Sequence, residues 1–297
     1  MKLSVFVVTY NQEKYIRQCL DSILMQNVNF EYEVIIGEDC STDSTPQICD
    51  EYAAKYPFIN VYHHPQNVGL VKNWEFVLNK CTGDYVAMIE GDDYWVDSNK
   101  LQKQVDWLDS HPDYVITSTN VNVICEDGLH DGECWFPNRH EGDVDLSEYL
   151  DPGICHTTSV VMRNVLKEIR YPSWIYMTDT YTFMLVAQRG RAYHFSEEMS
   201  VYRRHKSNCT NSSFSSIISV MRFATQHHKM QRVFPKMKSL LRKYEEIDLE
   251  YLSKIPYHGA PAKLWQFRIR YICMHRKLLF SRFALRTILY IFNSARE

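Results

Sequence analysis

Short apolar runs alternate with amphipathic segments over the first ninety residues. The apolar runs predict four strands, at residues 3–8, 33–36, 59–62 and 85–89. The segments between them, such as residues 12–25, repeat apolar side chains at helical spacing. Strands that alternate with helices through short links form a parallel sheet with helices on both faces. We therefore expect an α/β fold built on a Rossmann-like, mostly parallel sheet.

The fourth apolar run ends in Glu90, Gly91, Asp92 and Asp93. Open α/β sheets bind ligands outside the carboxyl ends of their strands, where these acids are expected to lie. Carboxylates this close repel one another, and a divalent cation with a preference for oxygen, Mg²⁺ or Mn²⁺, offsets that repulsion. Gly91 lets the backbone turn and approach a ligand. The alternative is a solvated loop whose acids cap the next helix.

The chain beyond residue 98 predicts a second group of elements and a change of character near residue 215. Helices are expected at residues 99–109 and 178–188, and strands at 114–125, 157–162 and 192–202. Residues 126–150 are polar, acidic and interrupted by glycine, which is typical of a long loop that shapes a binding site. We expect one α/β domain over residues 1–215 and a helical region over 216–297.

Composition excludes several classes of protein. A net charge of −3 over 297 residues argues against a general nucleic-acid binder. Nine cysteines without a Cys-x-x-Cys pair indicate buried thiols of a reducing compartment rather than a zinc site. Residue 3 already begins a strand, so we expect no signal peptide and a cytoplasmic location. No Gly-x-Gly-x-x-Gly follows the first strand, which argues against a dinucleotide-binding dehydrogenase.

The tail from Lys263 combines arginine and lysine with bulky apolar residues. A basic amphipathic helix can lie in a membrane interface, which predicts peripheral attachment at the cytoplasmic face. The alternative is a helical subdomain that packs its apolar side on the sheet.

Several short motifs occur in a particular order along residues 2–210. They are Val7 to Asn11, Glu38 to Thr45, Asn67 to Gly69, Glu90 to Trp95, Asp179 at a helix start, and Tyr202 to His205. In this order and spacing the chain resembles the family 2 glycosyltransferases, which have a GT-A fold. The resemblance implies inverting transfer of a sugar from a nucleotide diphosphate sugar to a hydroxyl of a saccharide or lipid-linked saccharide acceptor. Such transfer would serve surface polysaccharide synthesis.

The resemblance also implies a role for each matching residue. Asp39 would accept a hydrogen bond from the base, uracil, and Asp179 would be the catalytic base. A Mn²⁺ or Mg²⁺ ion on the diphosphate would be held by Asp92 with Glu90 or Asp93, and contacted by His205. The nucleotide sugar would be bordered by Thr9, Tyr10, Asn11, Glu13 and Gly91, with positive charge from Lys72 and Arg204.

Two departures from the family pattern leave alternatives open. Glu90 stands where the family usually has Asp, and Thr178 precedes Asp179 where the family often has Glu. These changes motivate a nucleotide-sugar-binding scaffold without catalysis, and Asp151 is a second candidate base. A sugar-nucleotide pyrophosphorylase would need a glycine-rich loop after the first strand, which residues 11–14 lack. Trp135 and Trp174 are candidates for an acceptor platform or for ordinary core packing.

Overall fold

The computed structural model of the chain describes residues 1–125, 133–134, 139–145, 148, 156–166, 168–205, 208 and 217–254. The chain divides into two compact units, Met1–His205 and Lys206–Glu297. The predicted boundary at residue 215 lies outside the described residues and stays a prediction, as do most of the loop at 126–150 with Trp135, the candidate base Asp151 and the tail from Lys263. Among the described residues, no helix is long and apolar enough to cross a membrane.

The first half of the sheet follows the prediction closely. Its strands are β1 (Leu3–Thr9), β2 (Tyr32–Glu38), β3 (Ile59–His63) and β4 (Tyr85–Glu90). They lie in the order β3-β2-β1-β4, and every pairing among them is parallel. The helices between them are α1 (Ile16–Leu24), α2 (Thr45–Lys55) and α3 (Leu70–Lys80). The side chains of β1 are buried throughout, as expected of a strand covered on both faces.

Helix α1 starts four residues later than its apolar spacing predicts. The backbone N–H of Gln12 donates to Thr45 Oγ1 at 2.8 Å, and the Gln12 side chain accepts from Thr9 Oγ1 at 2.7 Å. Residues 10–15 are therefore held as a loop against two neighbouring segments. Tertiary hydrogen bonds override local helical preference here.

The second half of the sheet is mixed rather than parallel. It contains β5 (Tyr94–Trp95), β6 (Tyr114–Cys125), β7 (Glu133–Cys134), β8 (Gly142–Val144), β9 (Val161–Arg163) and β10 (Arg191–Arg204). The order continues as β4-β9-β6-β10-β5, with β9 antiparallel to both neighbours and β10 parallel to β6. Helices α4 (Lys100–Ser110) and α5 (Thr178–Ala187) complete this unit.

Residues 157–162 do not form the single strand that their apolar content predicts. Thr157–Ser159 form a 3-10 turn, and only Val161–Arg163 form a strand. The carbonyl oxygen of His156 accepts from both the backbone N–H of Ser159, at 2.9 Å, and its hydroxyl, at 2.7 Å. Short polar side chains offer the backbone such local hydrogen bonds in competition with a strand.

The second unit contains two antiparallel helices, α6 (Ile217–Val233) and α7 (Lys238–Lys254). The 3-10 turn Pro235–Met237 joins them. Their facing side chains pair across the hairpin, as His227 does with Asp248 at 2.8 Å. The helical, basic character predicted for this part of the sequence is confirmed for residues 217–254.

Candidate active site

Three neighbouring parallel strands end at one edge of the sheet in polar residues. In the register of the sheet, Thr9 lies opposite Glu38, and Val8 lies opposite Glu90. The loops after β1, β2 and β4 therefore leave the sheet side by side. These segments therefore meet at one edge of the sheet, where ligand sites in open α/β sheets lie.

The loop after β1 is tied to the loop after β2 by reciprocal hydrogen bonds. Asn11 has a φ of 52°, a left-handed conformation that asparagine tolerates, and its Oδ1 accepts from the backbone N–H of Thr42 at 2.8 Å. Glu13 Oε2 accepts from the backbone N–H of Ser44 at 2.9 Å. Asn11 and Glu13 thus fix the wall of the predicted nucleotide site. Tyr10, which precedes Asn11, is exposed to solvent.

Asp39 is buried, and each of its two carboxylate oxygens accepts a hydrogen bond from a backbone N–H group. Oδ1 accepts from the N–H of Val68 at 2.7 Å, and Oδ2 accepts from the N–H of Gly69 at 2.9 Å. Each carboxylate oxygen has a second lone pair, so Asp39 can accept a further hydrogen bond from a ligand. Lys72 lies one turn further on in α3 and is exposed.

Glu90, Asp92 and Asp93 bring their carboxylates together after β4. One oxygen atom from each lies within 4.8 Å of the others. Burial, together with the charges of Asp92 and Asp179, raises the pKa of Glu90 to about 8. Burial and the charges of Asp92 and Glu90 raise the pKa of Asp93 well above its usual range. Like charges in a desolvated site disfavour the ionised forms, and a bound cation would reverse that preference.

Asp93 carries an oxygen that the protein does not satisfy. Its Oδ1 accepts from the backbone N–H of Arg203 at 3.0 Å, but its buried Oδ2 has no hydrogen-bond partner among the described residues. Buried polar atoms without a partner are rare and call for an explanation. The orphan oxygen and the cluster of three carboxylates fit a hard divalent cation.

Arg203 fixes the position of the acidic loop and was missed by sequence reasoning. Its Nε donates to the carbonyl oxygen of Asp92 at 3.1 Å, and its guanidinium lies over the rings of Tyr15 and Tyr94. The sequence analysis named Arg204 instead, as a source of positive charge for the nucleotide sugar. Neighbouring residues of a strand point to opposite faces, so one of the two arginines had to turn toward the acidic loop.

His205 lies beside the acidic cluster, as the resemblance implies. Its Nε2 is 3.0 Å from Asp92 Oδ2, and its ring lies 4.7 Å from the ring of Tyr15. His156 is also near, with Nδ1 3.9 Å from Asp93 Oδ2. Burial and the charge of Arg204 lower the pKa of His156 to about 3. Its Nδ1 accepts from the backbone N–H of Thr158 at 3.4 Å, so His156 is neutral and does not donate toward Asp93 from that atom.

Asp179 reaches the same site from the first turn of α5. Its charge contributes to the raised pKa of Glu90. Burial raises the pKa of Asp179 itself, partly offset by a hydrogen bond from the backbone N–H of Thr180. Trp174 precedes this helix and packs edge-on against Tyr181, with ring centroids 5.7 Å apart. Trp174 stays half-buried.

Gly91 is required by protein packing at this site. A Cβ atom there would lie 2.5 Å from Gln12 Oε1 and 2.9 Å from Thr9 Oγ1. The residue therefore lets the acidic loop pack closely against the loop after β1. Trp95, at the other end of the acidic loop, is buried as predicted, and its indole N–H donates to the carbonyl oxygen of Thr158 at 2.8 Å.

Comparison with known proteins agrees with this geometry. Residues 4–170 match the family described as Glycosyl transferase family 2. The chain belongs to this family. The uncharacterized protein Rv1520 of Mycobacterium tuberculosis is 36% identical over 245 residues, which cover 82% of this chain and 70% of that protein. The poly(ribitol-phosphate) beta-N-acetylglucosaminyltransferase TarS of Staphylococcus aureus is 35% identical over 112 residues, 37% of this chain and 19% of TarS.

Two solved structures of sugar transferases share the fold. TarS 1–349 in complex with UDP-GlcNAc aligns with a TM-score of 0.58 and 20% identity, covering 93% of this chain and 87% of that one. The mannosyltransferase PcManGT of Pyrobaculum calidifontis, in complex with GDP-Man and Mn²⁺, aligns with a TM-score of 0.55 and 16% identity, covering 97% and 83%. The chain is a glycosyltransferase with a GT-A fold, and the predicted fold class is confirmed.

Proposed function

We propose that this glycosyltransferase moves a sugar from a UDP-sugar to a hydroxyl of a saccharide or lipid-linked saccharide acceptor, with inversion and with the help of a divalent cation. The observation that carries the proposal is the cluster of Glu90, Asp92 and Asp93, whose carboxylate oxygens lie within 4.8 Å of one another, with Asp179 near enough for its charge to raise the pKa of Glu90. A general base therefore lies beside a cluster able to hold a cation, which is the arrangement that direct displacement needs.

The donor side is supported by Asp39. Its two oxygens are held in place by backbone N–H groups, and both keep a lone pair for a ring N–H of uracil. The loop after β1 borders that position, because the carbonyl oxygen of Thr9 accepts from the backbone N–H of Asp39 at 3.1 Å, and Tyr10 and Asn11 follow in the same loop, where Tyr10 is exposed. TarS, a structural neighbour, is known in complexes with UDP and with UDP-GlcNAc. We therefore assign a UDP-sugar rather than another nucleotide sugar to this site.

Glu90, Asp92, Asp93 and His205 would hold the cation, Mn²⁺ or Mg²⁺. When bound, the cation neutralises negative charge that develops on the diphosphate as it leaves. The neighbour PcManGT is known in complex with Mn²⁺. Gly91 permits the close packing of this loop, and Lys72 and Arg204 add positive charge for the diphosphate.

Asp179 performs the proton transfer. Its carboxylate takes the proton of the acceptor hydroxyl while that oxygen forms a bond to the anomeric carbon of the donor. The bond from that carbon to the diphosphate oxygen breaks, and its electron pair leaves with the nucleoside diphosphate. Attack opposite the leaving group inverts the anomeric centre. Burial raises the pKa of Asp179, so its ionised carboxylate is a stronger base than an exposed carboxylate.

The acceptor is assigned by its chemical class. Half-buried Trp174, which lies just before α5, offers a ring on which a sugar can stack. A lipid-linked saccharide would place the enzyme at the cytoplasmic face of a membrane, during synthesis of a surface polysaccharide. The similarity to TarS, a poly(ribitol-phosphate) beta-N-acetylglucosaminyltransferase, supports a polymer as the acceptor.

The test is a binding and hydrolysis screen of UDP-GlcNAc, UDP-glucose and GDP-mannose with Mn²⁺. We expect one UDP-sugar to bind, Asp92→Asn to lose cation-dependent binding, and Asp179→Asn to bind normally but turn over about 10²- to 10⁴-fold more slowly. The exposed Asp106→Asn is the matched control. Equal turnover by Asp179→Asn and the wild type would exclude Asp179 as the base. Intact binding without turnover on water or any acceptor would favour a scaffold.

A further inference from the structure

The tip of the hairpin in the second unit carries a dense group of exposed cations. We define the hairpin tip as residues 229–243, which include the end of α6, the 3-10 turn and the start of α7. Its charged residues are Lys229, Arg232, Lys236, Lys238, Arg242 and Lys243, and all six side chains are exposed. No acidic residue occurs anywhere between residues 217 and 244. The hairpin tip is therefore a concentrated positive surface.

The acids that follow in α7 do not neutralise this surface. Glu245 is buried, and it is bound by His228 Nδ1 at 3.1 Å and by Gln231. Asp248 pairs with His227 inside the hairpin. Glu246 is exposed and pairs with Arg242 at 3.0 Å. Glu245 and Asp248 are thus held within the hairpin, and the surface of the tip holds six cations and no acid.

The hairpin tip also makes the charge of the chain asymmetric. The whole chain has a net charge of −3, and the tip carries +6, so the remainder carries −9. An anionic surface would attract the tip and repel most of the rest of the molecule. Half-buried Val233 and Leu240 and exposed Pro235 lie among the cations and give the tip a small apolar area.

We propose that the hairpin tip binds the surface of an anionic phospholipid bilayer. Lysine and arginine near such a surface are attracted by its negative potential, within a distance of about 10 Å. A bilayer surface needs only positive charge and a small apolar area, whereas a base-stacking partner would need an exposed aromatic ring, and the aromatic side chain within residues 229–243, Phe234, is buried. The proposal does not depend on the catalytic assignments, because binding to lipid needs neither donor nor cation.

The test is co-sedimentation of the full chain with phosphatidylcholine vesicles, with and without phosphatidylglycerol. We expect binding only to the anionic vesicles and a steep loss of binding as salt is raised. In the triple variant Arg232→Gln, Lys236→Gln and Lys238→Gln, the partition coefficient should fall about 100-fold, since each residue contributes about fivefold. The matched control, Lys55→Gln, Lys80→Gln and Arg189→Gln, removes three exposed cations of the first unit and should bind like the wild type.

Three results would overturn the proposal. They are equal binding to neutral vesicles, equal losses in the two triple variants, and wild-type binding to a soluble polyanion such as polyphosphate without binding to vesicles. Circular dichroism of each variant shows whether the hairpin is intact. Donor turnover by the triple tip variant should equal that of the wild type, which separates failure of this proposal from failure of the proposed chemistry.

Discussion

The loops after β2 and β4 lie at the same edge of the sheet, but they satisfy their buried carboxylates differently. In the loop after β2, both oxygens of Asp39 accept backbone hydrogen bonds, and Glu38 accepts from the N–H of Ser41 at 2.7 Å. In the loop after β4, three carboxylates face one another, and Asp93 Oδ2 has no partner among the described residues. The protein satisfies the carboxylate oxygens of the first loop, whereas the second loop leaves one oxygen without a partner among the described residues and gathers three carboxylates that a cation would neutralise.

This difference separates recognition from chemistry. A carboxylate fixed by two backbone donors has one orientation, which suits it to read a base. Carboxylates that repel one another favour any ligand that brings positive charge, which suits them to a cation and a diphosphate. The protein satisfies the carboxylates of the first loop, and a ligand would neutralise those of the second. An Asp→Asn substitution should therefore lower the free energy of unfolding in the first loop and raise it in the second when no ligand is bound.

The largest effect on stability is expected for Asp39→Asn. The new amide NH₂ would face a backbone N–H where an oxygen now accepts, so one charged hydrogen bond is lost and two donors oppose each other. We expect the free energy of unfolding to fall by about 3 kcal/mol, as measured by urea denaturation without a cation. For Asp106→Asn, an exposed change of the same type, the free energy of unfolding should fall by less than about 0.5 kcal/mol. A loss below about 1 kcal/mol for Asp39→Asn would contradict the comparison.

The second effect is a pH dependence that a cation removes. The pKa of Glu90 is raised from 4.5 to about 8, so the folded state holds this proton more tightly than the unfolded state does. The contribution of Glu90 to the free energy of unfolding is therefore largest below about pH 4.5, and it is lost as the pH rises through about 8. We expect a loss of about 2 kcal/mol between pH 5 and 8 in chelator, and less than the full shift because Glu90 is only half-buried.

Magnesium should flatten this dependence, because a bound cation favours the ionised carboxylates. Denaturation curves at several pH values, with chelator or with Mg²⁺, measure the difference, and Glu90→Gln provides the control without the titrating group. Equal slopes with and without Mg²⁺ would show that the acidic loop does not hold a cation.

The third effect has the opposite sign from the first. Asp93→Asn keeps an oxygen for the backbone N–H of Arg203, and it removes one of three like charges. Without a cation at pH 8 we expect this variant to be about 1 kcal/mol more stable than the wild type. It should also lose the stabilisation that Mg²⁺ gives to the wild type. A destabilised Asp93→Asn would mean that the loop after β4 is as complete as the loop after β2.

The contrast between the loops also shows what the sequence can predict. The strands β1 to β4 were located to within two residues, because apolar periodicity is local and the strands are covered on both faces. The placement of Asp39 and Asp92 after strands of one sheet followed from the rule for strand ends, and the role of Asp179 is implied only by the order of the motifs. The backbone donors on Asp39 and Asp93 come from Val68, Gly69 and Arg203, and no local pattern marks those contacts.

Elements defined by long-range pairing were also missed. The strand β5 has two residues and exists because Tyr94 and Trp95 pair with β10, more than a hundred residues later. A segment this short has no periodicity to detect. The same pairing brings Arg203 to the acidic loop, so the least predictable part of the fold is the part that positions the cluster of carboxylates.

The smallest effect is expected at His63, which contacts Glu38 at the start of the loop after β2, and a cation should not change it. His63 contacts Glu38 Oε2 at 3.3 Å and Asp50 Oδ1 at 2.8 Å. Burial lowers the pKa of His63, but the two acids outweigh burial and leave the pKa raised. The stability that these pairs give is complete below about pH 6.5 and is lost as the pH rises through the higher folded-state pKa. Because the side chain of His63 is 39% exposed, we expect the free energy of unfolding to change by only about 0.5 kcal/mol between pH 6 and 8.

His63→Gln should remove this part of the pH dependence and Asp50→Asn should reduce it, in chelator and in Mg²⁺ alike. If Mg²⁺ altered the His63 contribution, the two loops would be coupled, and the division between a loop completed by the protein and a loop completed by a ligand would fail.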